Sequence, residues 1–331
     1  MDMKKVIKIW LSSLATALSL SVISAGSALA NDELKVRFSW KFKGEYAHFY
    51  VAQEQGLYAK NNLKVTLGEG AGSQAALGAL IQGQEDLVVL PGAFALTAIQ
   101  KGMPIRLVAL YHPSTPMVYI SHPENPVTKP SDLEGKRIAH SVGETGTTYL
   151  DSFCVRNKID CSKITKVTMA GGLRTPQFMQ KQVDVVSAYQ TNDLPLLEAT
   201  TGKQFPQLDL VAYGLKVPGM AIVASDRDIQ DRANQIRRFL AATNEAIRIS
   251  KADTRAASVA MAKAWNSAPE LSVLDKQVKA TMDAVPQIQG RPFGWVDSQV
   301  IREALELINA GAKPEVVKPV DAFFTNSLLG N

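Results

Sequence analysis

Strand and helix signals alternate regularly through the first third of the 331-residue chain, and that rhythm restricts the fold more than any single motif. Residues 34–40 alternate as a strand, 46–60 carry helical spacing, and 63–67 alternate again. A glycine-rich loop follows at 68–73, with Ser73 placed to cap a helix running to about 82. The short apolar run at 86–90 has the character of a parallel strand covered on both faces. A helix from about 93 and a strand at 105–111 complete the round. This order implies right-handed crossovers and an open, mostly parallel sheet.

A second round begins after Pro130. A capped turn at 131–135 leads into a strand at 136–140, a Gly/Thr-rich loop at 141–148 and a helix to about 155. Strands at 164–169 and 184–188 flank a helix at 175–182, and 220–224 reads as a return crossing. Helical spacing then dominates 229–250, 254–265, 271–284 and 298–310. The expected fold class is therefore α/β in two lobes. One takes 31–121 plus 225–331, with a helical C-terminal part, and the other takes 122–224. Two lobes joined by two crossings make a hinged cleft, and ligands sit at the carboxyl ends of such strands.

Residues 1–30 read as a cleaved signal peptide, with Lys4, Lys5 and Lys8, an apolar stretch at 9–23, and small residues at Ala28 and Ala30. The apolar stretch is short for a membrane span of roughly 20 residues. The longest later apolar run, 87–99, is interrupted by Pro91 and Gly92. No cysteine stands in the leader for lipid attachment, so a protein free in a bacterial periplasm is expected, acting as a monomer. Net charge is +5, of which Lys4, Lys5 and Lys8 against Asp2 supply +2, leaving +3 after cleavage. No dense Lys/Arg stripe accompanies that surplus, so nucleic acid is not an expected partner.

Cys154 and Cys161 are the two cysteines. In one continuous helix they would stand about 10 Å apart by rise alone, too far to bond. Residues 157–160 are expected to break the helix and permit a disulfide in an oxidising compartment, with two buried free thiols as the alternative.

The strand ends gather aromatic, hydroxyl and amide side chains. Trp40, Tyr46 and Tyr189 are candidates to stack on a flat ring, or else are core aromatics. Ser73, Phe94 and Asn192 fall at other strand ends, and His48 and His112 at the edges of the same region. In the 141–148 loop, Gly143, Glu144, Thr145 and Thr147 combine free backbone amides with hydroxyls, which suits an anion. Glu144 competes with an anion there and suits a ligand amine; simple helix capping is the other reading. The spacing of Gly68, Gly70 and Gly72 is not that of a dinucleotide fingerprint. No pair of histidines has metal-ligand spacing, and neither a nucleophile elbow nor a phosphate loop occurs. No cofactor, metal site or catalytic constellation is expected.

The run at 40–67, with Val51, Ala52, Gln55, Gly56, Leu57 and Tyr58, resembles a known pattern. So do the segments 83–86, 101–104 and 132–136. Together they are similar to the nitrate/sulfonate/taurine and thiamine-pyrimidine group of periplasmic substrate-binding proteins of ABC importers. The resemblance implies a two-lobe type II binding-protein fold and delivery of a small solute to an inner-membrane ABC permease and its ATPase; with no catalytic constellation in the sequence, a non-enzymatic receptor is expected. Pyrimidines, sulfonates, nitrate and aromatic acids are the solute classes it implies. The likeness is nearest to the pyrimidine-binding branch, whose glycine-rich loop resembles Val142, Gly143, Glu144 and Gly146. That branch also holds an enzyme of pyrimidine synthesis in the thiamine pathway. The chain departs from the branch at Tyr46, where a histidine is usual, and at 217–221, where the enzyme's cysteine-rich motif is missing. An enzyme of that kind and a receptor for a membrane sensor are the alternatives to transport.

Overall fold

The computed structural model describes residues 32–310 and 318–330; the leader expected at 1–30 lies outside them. The first round of the chain supplies β1 (Asp32–Phe38), β2 (Leu63–Gly68), β3 (Leu87–Pro91) and β4 (Ile105–Leu110). The second supplies β5 (Met117–Ser121), β6 (Arg137–His140), β7 (Thr165–Thr168), β8 (Val185–Tyr189) and β9 (Gln207–Asp209). The chain then returns as β10 (Met220–Ser225). Two five-stranded sheets result, ordered β2-β1-β3-β10-β4 and β7-β6-β8-β5-β9.

Each sheet is mixed, and the reversed strand is the crossing strand. β10 runs antiparallel to both β3 and β4, while β1 pairs in parallel with β2 and β3. In the second sheet β5 runs antiparallel to β8 and β9, while β6 pairs in parallel with β7 and β8. A strand that enters a sheet from the other half arrives at the carboxyl end of its parallel strands and must run back through it. That is why the expectation of a mostly parallel sheet fails only at β5 and β10.

Alternation places the core. In β1, Leu34, Val36 and Phe38 are buried while Lys35 is exposed, the period of two of a strand with one face inward. That face packs on the C-terminal helices through Phe239, Leu240, Ile247, Met261 and Leu274. In β5, Val118 and Ile120 join one core cluster and Met117 and Tyr119 another. The second of these clusters also draws in Leu90 and Leu110 of the first sheet and Ile301 and Ala304 of the helix Ser298–Ala310. Burial of a large apolar side chain contributes about 1.5–3 kcal/mol, so this helix ties both sheets into one hydrophobic unit.

Several boundaries differ from the sequence expectation. The helix expected at 46–60 breaks at Gly56, whose φ of 66° belongs to the left-handed region. It becomes a 3-10 turn Gly44–Tyr46 and the helices Ala47–Glu54 and Leu57–Lys60. Ser73 does not cap its helix: Gly72 holds that position and Ser73 is the first helical residue. Residues 193–201 and 207–209, without a clear period in sequence, form a helix and an edge strand. The helix Leu150–Asn157 ends at Lys158 in the left-handed conformation, the chain folds back, and Cys154 and Cys161 are disulfide-bonded with Cα atoms 5.7 Å apart.

Candidate functional site

The carboxyl ends of the parallel strands in the two sheets face a common cavity of about 820 Å³, part of it open to solvent. Ser39 and Trp40 follow β1, Pro91 ends β3 and His112 follows β4; from the other sheet Ser141 follows β6, Arg174 follows β7 and Tyr189 ends β8. Met117 and Met220, where the reversed strands begin, complete the floor.

Eight of the residues singled out from sequence line this cavity: Trp40, Tyr46, Ser73, His112, Gly143, Glu144, Thr145 and Tyr189. Trp40 reaches across to the other sheet. A Cβ on Gly171 would lie 2.5 Å from the Trp40 ring, so only glycine lets the indole close against that strand end. Tyr46 is buried and stacks on Phe38, with ring centroids 4.1 Å apart and planes 11° from parallel. Such a pair adds about 0.5–1.5 kcal/mol beyond its burial; Tyr46 is thus core aromatic and cavity wall together.

Four others do not line it. His48 is a correction: its ring is fully buried between Phe49 and Tyr111, and neither nitrogen has a hydrogen-bond partner. Burial drives its pKa down to about 3, so it is a neutral core residue with no route to a ligand. Phe94 stands behind the loop, its ring edge 3.0 Å from where a Gly143 Cβ would be; at φ +76° that loop position already favours glycine. Thr147 turns its hydroxyl to Glu144 and His140. Asn192 is buried in the wall, accepting from Glu45 N–H at 3.2 Å and from the Gln277 amide at 2.8 Å.

Glu144 is committed to its own loop. As the N-cap of Thr145–Thr148 its carboxylate accepts from the Gly146 and Thr147 N–H groups at 2.5 and 2.9 Å, and from the Ser187 hydroxyl at 2.5 Å. Arg174 lies 3.4 Å away. Burial alone would raise this carboxyl, but Arg174 and the Ser187 and Thr147 hydrogen bonds outweigh it and hold the pKa below the usual range. The capping reading therefore describes Glu144, which enters the cavity wall as one half of an ion pair.

Sequence reasoning missed Lys43, Glu45, Arg174, Ser187 and Asp193. Arg174 and Ser187 were legible, the first because it follows a strand end, the second because it lies two residues from Tyr189 on the same face of β8. Lys43 Nζ sits 3.1 Å from Asp193 and 4.8 Å from the centroid of Tyr189. Burial would lower its pKa, yet Asp193 and Glu45 prevail and raise it to about 12. Glu45 is half-buried, and its pKa is raised by burial. His112 is held down at about 4 by burial. Among the described residues no cluster of three or more His, Cys, Asp or Glu is placed to hold a metal ion.

The family model described as NMT1/THI5 like matches residues 43–257. A curated relative from Haemophilus influenzae, named for thiamine biosynthesis, is 23% identical over 225 residues, covering 66% of this chain and 69% of its own length. The alkanesulfonate-binding protein SsuA from Xanthomonas axonopodis pv. citri, bound to MOPS, superposes with a TM-score of 0.66 at 19% identity, over 84% of this chain and 93% of that one. The periplasmic nitrate-binding protein NrtA from Synechocystis PCC 6803 gives 0.62 at 12% identity, over 84% and 80%. The chain shares the periplasmic binding protein fold with these structures.

Proposed function

Because the chain belongs to the NMT1/THI5-like family, we propose that it is a non-enzymatic receptor that closes on a small planar solute and delivers it to an ABC permease and its ATPase. The observation that carries this reading is the shared cavity, walled by Trp40 and Tyr46 from one sheet and by Tyr189 and the 141–145 loop from the other. Residues 32–121 with 225–331 act as one lobe and 122–224 as the second. A solute that touches both favours the closed form and shifts the balance towards it. The leader at 1–30 directs export, and the released chain works as a monomer in the periplasm.

The 217–221 segment supports a receptor over the pyrimidine-synthesis enzyme. Instead of cysteines it offers backbone: Gly219 and Pro218 carbonyls accept from Gly92 and Ala93 N–H groups at 2.6 and 3.0 Å, satisfying the start of the helix Gly92–Gln100. Incubating the protein with a bound solute and weighing what is released tests the reading. A receptor returns the solute at unchanged mass; iron-dependent conversion to a new mass would contradict it.

A further inference from the structure

The cavity just assigned to a solute has an unbalanced set of charges. Its lining holds two cations, Lys43 and Arg174, against three carboxyl groups, Glu45, Glu144 and Asp193. Two pairs cancel, Lys43 with Asp193 at 3.1 Å and Arg174 with Glu144 at 3.4 Å. Glu45 is left over. Among the described residues no lysine or arginine nitrogen comes within ion-pair distance of it; Lys43, which influences it from further away, is drawn towards Asp193. His112, the histidine in the lining, is kept neutral by burial.

Glu45 is also held in place. Its backbone N–H donates to Asn192 at 3.2 Å, and the neighbouring Gly44 N–H donates to Gln277 at 3.0 Å. Burial, helped by the nearby Asp193 charge, holds its carboxyl above the ordinary range, and neither the more distant Lys43 charge nor the Tyr46 hydroxyl overcomes it. The aromatic walls act in the same direction, because a ring face attracts cations and repels anions. The cavity already uses this attraction once, with Lys43 over Tyr189 at 4.8 Å.

Resting on the reading of this cavity as the solute site, we infer that it selects a planar organic cation of the amidinium or aryl-ammonium class and rejects anions, with Glu45 as the specificity-determining residue. A cation bound beside Glu45 brings the cavity to neutrality and gives the carboxylate a charge-assisted hydrogen bond. An anion of the same shape would be desolvated against an unpaired carboxylate, a repulsive element of the kind that sets specificity.

Calorimetric titration with benzamidinium and benzenesulfonate tests this, since the two share a ring and differ in charge. Benzamidinium should bind, and benzenesulfonate should bind about a hundred-fold more weakly or not at all. In Glu45→Gln, with a wild-type circular dichroism spectrum, benzamidinium affinity should fall about ten-fold or more, and Glu45→Asp should restore part of it. Should Glu45→Gln not fold, the wild-type pair of titrations decides alone. Equal or tighter binding of benzenesulfonate, or a folded Glu45→Gln with undiminished affinity, overturns the inference and leaves the receptor standing. Silence from the folded protein towards both probes and towards every uncharged solute overturns the receptor reading as well.

Discussion

The side-chain amide of Gln277 donates to the backbone carbonyl of Asn192 at 2.8 Å and ties the helix Leu271–Ala284 to the start of the helix Asp193–Thr201. The same amide oxygen accepts from Gly44 N–H at 3.0 Å. One buried side chain thus pins the wall from which Lys43, Glu45 and Asp193 project, and it spans the two proposed lobes.

Removing it should be costly. Gln277→Ala leaves a buried N–H and a buried carbonyl without partners, and each such group costs about 1–3 kcal/mol. Urea unfolding should show a loss within or above that range. A variant as stable as wild type would mean that water or a backbone shift satisfies both groups.

Trp40 should matter to binding more than to folding. It is half-buried and meets the opposite half at Gly171. Trp40→Ala should weaken solute binding by about 2–4 kcal/mol, the range of a central aromatic contact, with the melting temperature little changed. Unaltered affinity in a folded variant would remove Trp40 from the site.

Acid stability should carry the signature of Glu144. Its folded-state pKa lies below the ordinary glutamate value of 4.5, so the unfolded chain takes up the proton first as pH falls. The stability it contributes is therefore complete above pH 4.5 and is lost as pH drops through the depressed folded value. Glu45 has the opposite sign: its raised pKa favours the folded state at low pH and opposes it as the carboxyl ionises. Unfolding free energies measured from pH 7 to pH 3 should fall less steeply for Glu144→Gln than for wild type. Parallel curves would show that Arg174 and Ser187 do not hold that charge.

Most strand positions were legible because strands such as β1 state their faces by alternation, as Leu34, Val36 and Phe38 show, whereas β5, buried at every position, was not read as a strand. The reversed direction of β10 was not legible either, since antiparallel and parallel strands covered on both sides share one apolar pattern. His48 misled for a related reason. Ala47 through Ala52 are all buried, so no polar stripe marks which side of that helix faces the cavity. Glu144 was read as a cap, which forms, but its Arg174 partner was not foreseen, because it lies 30 residues on in sequence, where spacing carries no information about contact. Lys43 and Glu45 were hidden inside an aromatic run whose rings drew attention first.

Solute binding by residues 31–331 is read by a thermal-shift screen against pyrimidines, amidines, sulfonates, nitrate and aromatic acids. A solute at a thousand times its dissociation constant adds about 4 kcal/mol to the folded state, a clear rise in melting temperature. Such a rise is expected for one chemical class, and a markedly smaller one in Trp40→Ala. No rise for any class, in protein shown by mass spectrometry to carry no co-purified solute, would contradict the receptor reading.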